Sequence, residues 1–141
     1  MKDLIDKFSW QAMNNDADSM FGEYVRLLRD EKRLCSTKCK KCGHVDYPPR
    51  AFCTRCWGVS VQWIDIHESA TLYAFTTQAR SVRFMAPEVI GLVELPALPG
   101  PGRILSKING KFGDLRIGQK LKFVPCPISG KLHTHSFTPV D

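Results

Sequence analysis

The chain has 141 residues, 43% of them hydrophobic, and a formal charge of +6 at neutral pH. That length supports one modest core, or a small domain plus a metal-stapled module, and no run approaches the ~18 apolar residues of a membrane span. The basic balance admits nucleic acid without requiring it, and the opening Met-Lys-Asp-Leu, with no apolar signal stretch, leads us to expect a reducing cytoplasm.

Leu4, Ile5, Phe8 and Ala12 recur at helical spacing, and after Asn14-Asn15-Asp16 a second pattern runs through Met20, Phe21, Tyr24, Leu27 and Leu28. The spacing predicts two amphipathic helices in a segment spanning 1–34. Asp18 or Ser19 would cap the second, and Arg26, Arg29, Lys32 and Arg33 crowd its far end, where the helix dipole favours cations. Two uses of these stripes are open: packing on the chain's own core, or presenting aromatic rings to another protein.

The next segment, 35–60, holds Cys39-Lys-Lys-Cys42-Gly43 and, ten residues on, Cys53-Thr-Arg-Cys56-Trp57-Gly58. Two Cys-x-x-Cys knuckles in tandem let Cys39, Cys42, Cys53 and Cys56 converge as thiolates on one tetrahedral Zn2+, a structural site. Iron in a rubredoxin-like site is the competitor, since four thiolates suit either metal. Thiolates and a divalent ion together would lower the net charge to about +4. Gly43 and Gly58 sit where each knuckle turns, and a positive φ is cheapest for glycine. Cys35 reads as a spare thiol and His44 as a solvated loop residue. Pro48-Pro49 stiffens the hairpin tip and gives Arg50 a rigid mount.

From residue 61 the pattern changes to short β-branched and aromatic runs at 61–66, 71–76, 89–95, 103–108 and 120–124, bounded by Gly, Pro, Asn and Asp. Five such strands predict a mainly β chain whose segment 61–141 is a five-stranded OB-fold barrel, with Gly91 relieving crowding where a strand coils.

Cys39-x-x-Cys42-Gly43, Pro48-Pro49-Arg50, Cys53-x-x-Cys56, Trp63, the runs 70–76 and 91–95, and Leu115-Arg116-Ile117-Gly118 together resemble the acyl-CoA-associated family of N-terminal helices, zinc ribbon and OB-fold. The resemblance runs from about residue 20 to residue 126, with two departures: Glu68-Ser69-Ala70, where the family tends to carry glycines, and the presence of Cys35. It implies a small, non-catalytic subunit of a thiolase-type complex, hetero-oligomeric with a catalytic partner that cleaves a 3-oxoacyl-CoA with CoA. Within the family it points first toward thiolases of aromatic-compound degradation, with steroid side-chain and archaeal mevalonate-pathway relatives as the open alternatives.

The remaining residues add a ligand candidate and little catalysis. The loop 78–87 mixes Arg80 and Arg83 with Phe84 and Met85, which suits the phosphates and apolar parts of a CoA thioester, or simple protein docking. Arg50, with Lys38, Lys40 and Lys41, is a second phosphate candidate. Cys126, between two prolines, reads as a structural thiol rather than a nucleophile. His133 and His135 share a strand face but lack a third ligand nearby in sequence. The rival function is single-stranded nucleic-acid binding on Tyr73, Phe75, Phe84, Arg80 and Arg83, weakened by the interleaved acids Asp65, Glu68, Glu88, Glu94 and Asp114.

Overall fold

The computed structural model describes residues 19–80 and 87–140. The expected first helix and an Asp18 cap lie outside them. The chain divides into two compact units, Met1–Asp65 with Pro125–Thr134, and Ile66–Val124 with His135–Asp141.

The first unit opens with helix α1 (Met20–Arg26), which runs into a π-helical turn over Leu27–Glu31. Ser19 caps it, its hydroxyl oxygen accepting from the Gly22 N–H at 2.9 Å, which satisfies a donor that the first turn cannot pair internally. Lys32, in the left-handed region with φ 53°, ends it. Tyr24, Val25, Leu27 and Leu28 are buried. This part of the apolar stripe therefore packs on the chain's own core, and only Phe21 at its edge stays half exposed.

After the helix come β1 (Cys35–Cys39), β2 (Val45–Asp46) and β3 (Val61–Asp65), an antiparallel sheet in the order β2-β1-β3. Cys35 faces Asp65 and Cys39 faces Val61 across the β1–β3 ladder. The run at 61–65, expected to open the barrel, thus belongs to the ribbon. Its five hydrogen-bonded residues found a partner strand within the same unit, which periodicity alone does not reveal.

A five-stranded sheet is built from β4 (Thr71–Gln78), β5 (Glu88–Leu95), β6 (Gly102–Ile108), β7 (Leu121–Ser129) and β8 (Leu132–Pro139); β4, β5, β6 and the parts 121–124 and 135–139 of β7 and β8 belong to the second unit. Its order is β4-β5-β6-β8-β7. The β6–β8 pair is parallel, with Lys107 opposite Ser136 and Ile108 opposite Phe137. The mainly β class, the second of the two expected helices, the four-cysteine ribbon and a five-stranded sheet are as expected among the described residues; closure into an OB-fold barrel is not found. Among the described residues, β4 and the start of β7 are joined by one isolated bridge, Thr71 to Lys120, supported by Leu72 N–H to Gln119 O at 2.9 Å, Gly118 N–H to Leu72 O at 2.7 Å and Leu121 N–H to Ala70 O at 2.9 Å. A single bridge curls the sheet without sealing it.

Alternation builds this unit's core. Val89, Val93 and Leu95 of β5 and Ile104 and Ile108 of β6 point inward, as the two-residue period of a half-covered strand requires. Phe137 is fully buried against Phe123, with ring centroids 6.0 Å apart. Gly91 lies opposite Phe75 and Ser106, and a Cβ there would come within 2.8 Å of the Ala74 carbonyl oxygen. Its smallness is what the strand crossing demands. At the departure noted in the sequence, Ser69 takes φ 56° before β4, a conformation that glycine adopts with less strain.

Candidate metal centre

The sulfurs of Cys39, Cys42, Cys53 and Cys56 all lie within 4.8 Å of one another. Cys39 Sγ is 3.6 Å from Cys56 Sγ, and Cys42 Sγ is 3.5 Å from Cys53 Sγ. A tetrahedron with metal–sulfur bonds of about 2.3 Å has edges of about 3.8 Å. The four sulfurs therefore form a cage of the size that a single tetrathiolate ion needs, and these are the residues that would hold it.

Local backbone geometry makes the cage. In the first knuckle, Lys41 N–H points at Cys39 Sγ at 3.4 Å, and Gly43 N–H closes the turn onto Cys39 O at 3.0 Å. In the second, Arg55 N–H points at Cys53 Sγ at 3.4 Å, and Trp57 N–H closes onto Cys53 O at 2.9 Å. The N–H groups of Cys42 and Lys41 hold the Cys39 thiol down at about 6, because a donor aimed at sulfur favours the thiolate. Asp46, buried on β2, braces the second knuckle: its carboxylate accepts from the Thr54 N–H at 3.2 Å and from the Thr54 hydroxyl. His44 Nε2 lies 3.5 Å from that carboxylate and 3.4 Å from Thr54 Oγ1. His44 is thus part of the brace rather than a solvated loop residue, and it is not among the converging ligands.

The two glycines have different jobs. Gly43 takes the positive φ, +76°, but at the matching place in the second knuckle the positive φ, 61°, falls on Trp57. Gly58 is needed for closeness instead, since a Cβ there would sit 3.3 Å from Cys56 Sγ. A left-handed backbone costs a bulky L-residue on the order of 1–2 kcal/mol. Trp57 is nonetheless 73% exposed, and its ring lies parallel to that of Phe52, 6° apart in plane with centroids 5.6 Å apart. Neither ring stands out by periodicity or spacing; the one signal is a lone Trp standing where the sister turn has Gly.

Cys35 is no ligand. It is fully buried on β1 and its thiol donates to Asp65 Oδ1 at 3.1 Å, the oxygen that also accepts from Arg33 Nε at 2.7 Å. Burial, with the Asp65 carboxylate, pushes the thiol up to about 12. Because the folded state holds this proton more tightly than the unfolded chain, its contribution to stability is complete below about 9 and is lost as pH rises from about 9 to 12. We expect the stability difference between wild type and Cys35→Ala, read from urea midpoints, to shrink steadily across that window; a constant difference would contradict the assignment.

The other candidates disperse. Arg80 is exposed in the second unit and Arg50 is exposed in the first, its backbone N–H fixed to Thr37 Oγ1 at 2.9 Å; Arg83 and Phe84 lie outside the described residues. His133 Nδ1 is 3.2 Å from Lys131 O, while His135 Nδ1 is 2.7 Å from Ser106 Oγ. Cys126 is hydrogen-bonded at 3.8 Å to the carbonyl of Pro127. The expected stacking platform on the sheet is also taken up: Arg103 covers the Tyr73 ring at 3.6 Å and is itself paired with Glu94, and Phe75 packs edgewise on Phe112.

Residues 29–61 match the family model of the ChsH2 rubredoxin-like zinc ribbon domain. Benzoylsuccinyl-CoA thiolase subunit BbsA of Thauera aromatica is 28% identical over 86 residues, which are 60% of this chain and 58% of that one. The solved structure of an Ltp2-ChsH2(DUF35) aldolase superposes with a TM-score of 0.69 at 20% identity, covering 84% of this chain and 92% of that one. The ribbon segment, residues 29–61, is of the ChsH2 zinc-ribbon type. A DUF35-family protein of unknown function from Sulfolobus solfataricus shares the fold, with a TM-score of 0.58 at 19% identity over 93% of this chain and 96% of its own. The ChsH2-type match covers the span in which the four cysteines, β1 and β2 lie, so the ribbon is the most securely assigned part of the molecule. This chain spans 58% of the length of the curated relative.

Proposed function

We propose that this chain is a non-catalytic accessory subunit of a thiolase-type acyl-CoA enzyme, docking to a catalytic subunit that cleaves a 3-oxoacyl-CoA with CoA. The similarity to a thiolase subunit over 86 residues carries this reading, and the chemistry of the chain agrees with it. Thiolysis needs a nucleophilic thiol beside a histidine, with donors for the developing oxyanion. Among the described residues, Cys35 is buried against a carboxylate and Cys126 meets a backbone carbonyl. The remaining four sulfurs face one another.

The ion we assign to them is Zn2+. When bound it supplies a redox-inert tetrahedral crosslink, and the protein's own residues do the rest: they aim backbone donors at sulfur, brace the second knuckle through Asp46, and keep the hairpin tip rigid. Metal analysis is expected to find one zinc per chain in a colourless preparation; a coloured, iron-loaded protein would overturn the assignment.

The residues proposed to meet a CoA thioester are Arg80, Arg83 and Phe84 on the 78–87 loop and Arg50 on the ribbon. Co-expression with a candidate thiolase subunit tests the reading as a whole. CoA-dependent cleavage is expected only when both chains are present, and full activity from the large subunit alone would sink it.

A further inference from the structure

We propose that the stacked rings of Phe52 and Trp57 form a binding platform for a planar heteroaromatic group that carries phosphate, in chemical terms a nucleotide. The two knuckles differ at one telling place. The residue that follows the second cysteine is Gly43 in one and Trp57 in the other, with φ of +76° and 61°. The turn itself is therefore made well by glycine, and nothing in its hydrogen bonding asks for an indole. Burial does not ask for it either, because Trp57 is 73% exposed.

The arrangement around the indole specifies a ligand. Phe52 stacks parallel to the indole with centroids 5.6 Å apart, and most of the indole surface stays exposed. Lys40, Lys41 and Arg55 are exposed in the same two knuckles, and the Lys41 stem comes within 3.8 Å of a Cβ placed on Gly58, the residue next to Trp57. Asp46 is the sole acidic residue between Cys39 and Gly58, and it is buried and engaged with Thr54. An exposed indole whose two flanking knuckles also carry exposed ammonium and guanidinium groups can stack a base and hold its phosphate together. Two sources share this chemistry: the adenosine 3′,5′-bisphosphate end of a CoA thioester, or one nucleotide of a single strand. Only the choice of CoA rests on the accessory-subunit reading; the platform does not.

Calorimetric titration of the full-length, metal-loaded chain tests it with three probes: adenosine 3′,5′-bisphosphate, CoA, and a single-stranded oligonucleotide. Saturable binding of the bisphosphate is expected, with affinity lost about tenfold or more in Trp57→Gly and largely restored in Trp57→Phe. Glycine suits the left-handed turn, so Trp57→Gly keeps the cage, and the visible spectrum of the cobalt-substituted protein should match that of wild type. Equal binding of bisphosphate and CoA, with no gain for the oligonucleotide, identifies CoA as the source. Much tighter oligonucleotide binding that falls steeply with salt identifies a strand. Failure of wild type to bind any probe overturns the platform, as does unchanged binding by Trp57→Gly. The same holds if Trp57→Gly loses only its association with a co-expressed catalytic subunit, which would make the indole a protein anchor. The thiolysis assay reads the subunit hypothesis separately: support of thiolysis without nucleotide binding removes the platform alone, and nucleotide binding without such support removes the subunit role alone.

Discussion

A Cys42→Ser chain is expected to come through purification without its metal, with the amides of residues 39–58 unprotected from exchange and the β signal of the five-stranded sheet intact. The magnitude follows from linkage between metal binding and folding. In small zinc modules the binding energy, on the order of 10 kcal/mol or more, is the folding energy of the loops that supply the ligands. Serine cannot replace a thiolate here, and three sulfurs leave the tetrahedron open on the side where Cys42 now faces Cys53 at 3.5 Å. The two knuckles have few other restraints: the paired backbone bonds between Cys39 and Gly43 or His44 and between Cys53 and Trp57 or Gly58, and the Asp46–Thr54 brace. Association with a catalytic partner should weaken in parallel. A variant that retained stoichiometric metal and native exchange would show that the four sulfurs are not the ligand set.

The complementary result is expected from Gly91→Val, which should strongly destabilise the five-stranded sheet and leave metal content unchanged. A Cβ at this place lies 2.8 Å from the Ala74 carbonyl oxygen and 3.0 Å from both Ile108 Cγ1 and Leu72 Cδ1. The two side chains could yield a few tenths of an ångström; the carbonyl belongs to the β4–β5 ladder beside the register shift between Leu72 and Ala74 and could not move without parting the strands. Overpacking of this kind costs about 1–3 kcal/mol or more, a large share of the roughly 5–15 kcal/mol that holds a domain together. Circular dichroism during urea titration, with metal content measured alongside, checks it: a midpoint within error of wild type would mean that the strand crossing is looser than described.

What the sequence disclosed, and what it hid, follows from the range of each interaction. The cage was legible because its four ligands are named by residue type and placed by a short, regular spacing between Cys39 and Cys56. Gly91 was legible because a glycine inside a β-branched run signals a neighbour too close for any side chain. The swap of 61–65 for 132–139 in the five-stranded sheet was hidden, because a strand's pattern says which face is apolar and nothing of which neighbour it pairs with. Leu132–Pro139 also carries His133, Thr134, His135 and Ser136, so its alternation is faint; only the fully buried Phe137 betrays it. Trp57 was hidden for another reason. Its meaning lies in a comparison of backbone angles between two turns, which the letters Cys-Gly and Cys-Trp do not contain.

The interior place of β8 sets an order on how the molecule can be made. It lies between β6 and β7 although both precede it in the chain, and its parallel partners Lys107 and Ile108 are 29 residues upstream of Ser136 and Phe137. A nascent chain leaving the ribosome thus holds β4, β5 and β6 as an unfinished meander whose β6 rim stays bare until β8 slots in. Non-local pairing of this kind is slow, and a raw rim invites pairing with other chains meanwhile. Early capture by a partner, or by a chaperone, would be of most value to this protein in that interval of synthesis.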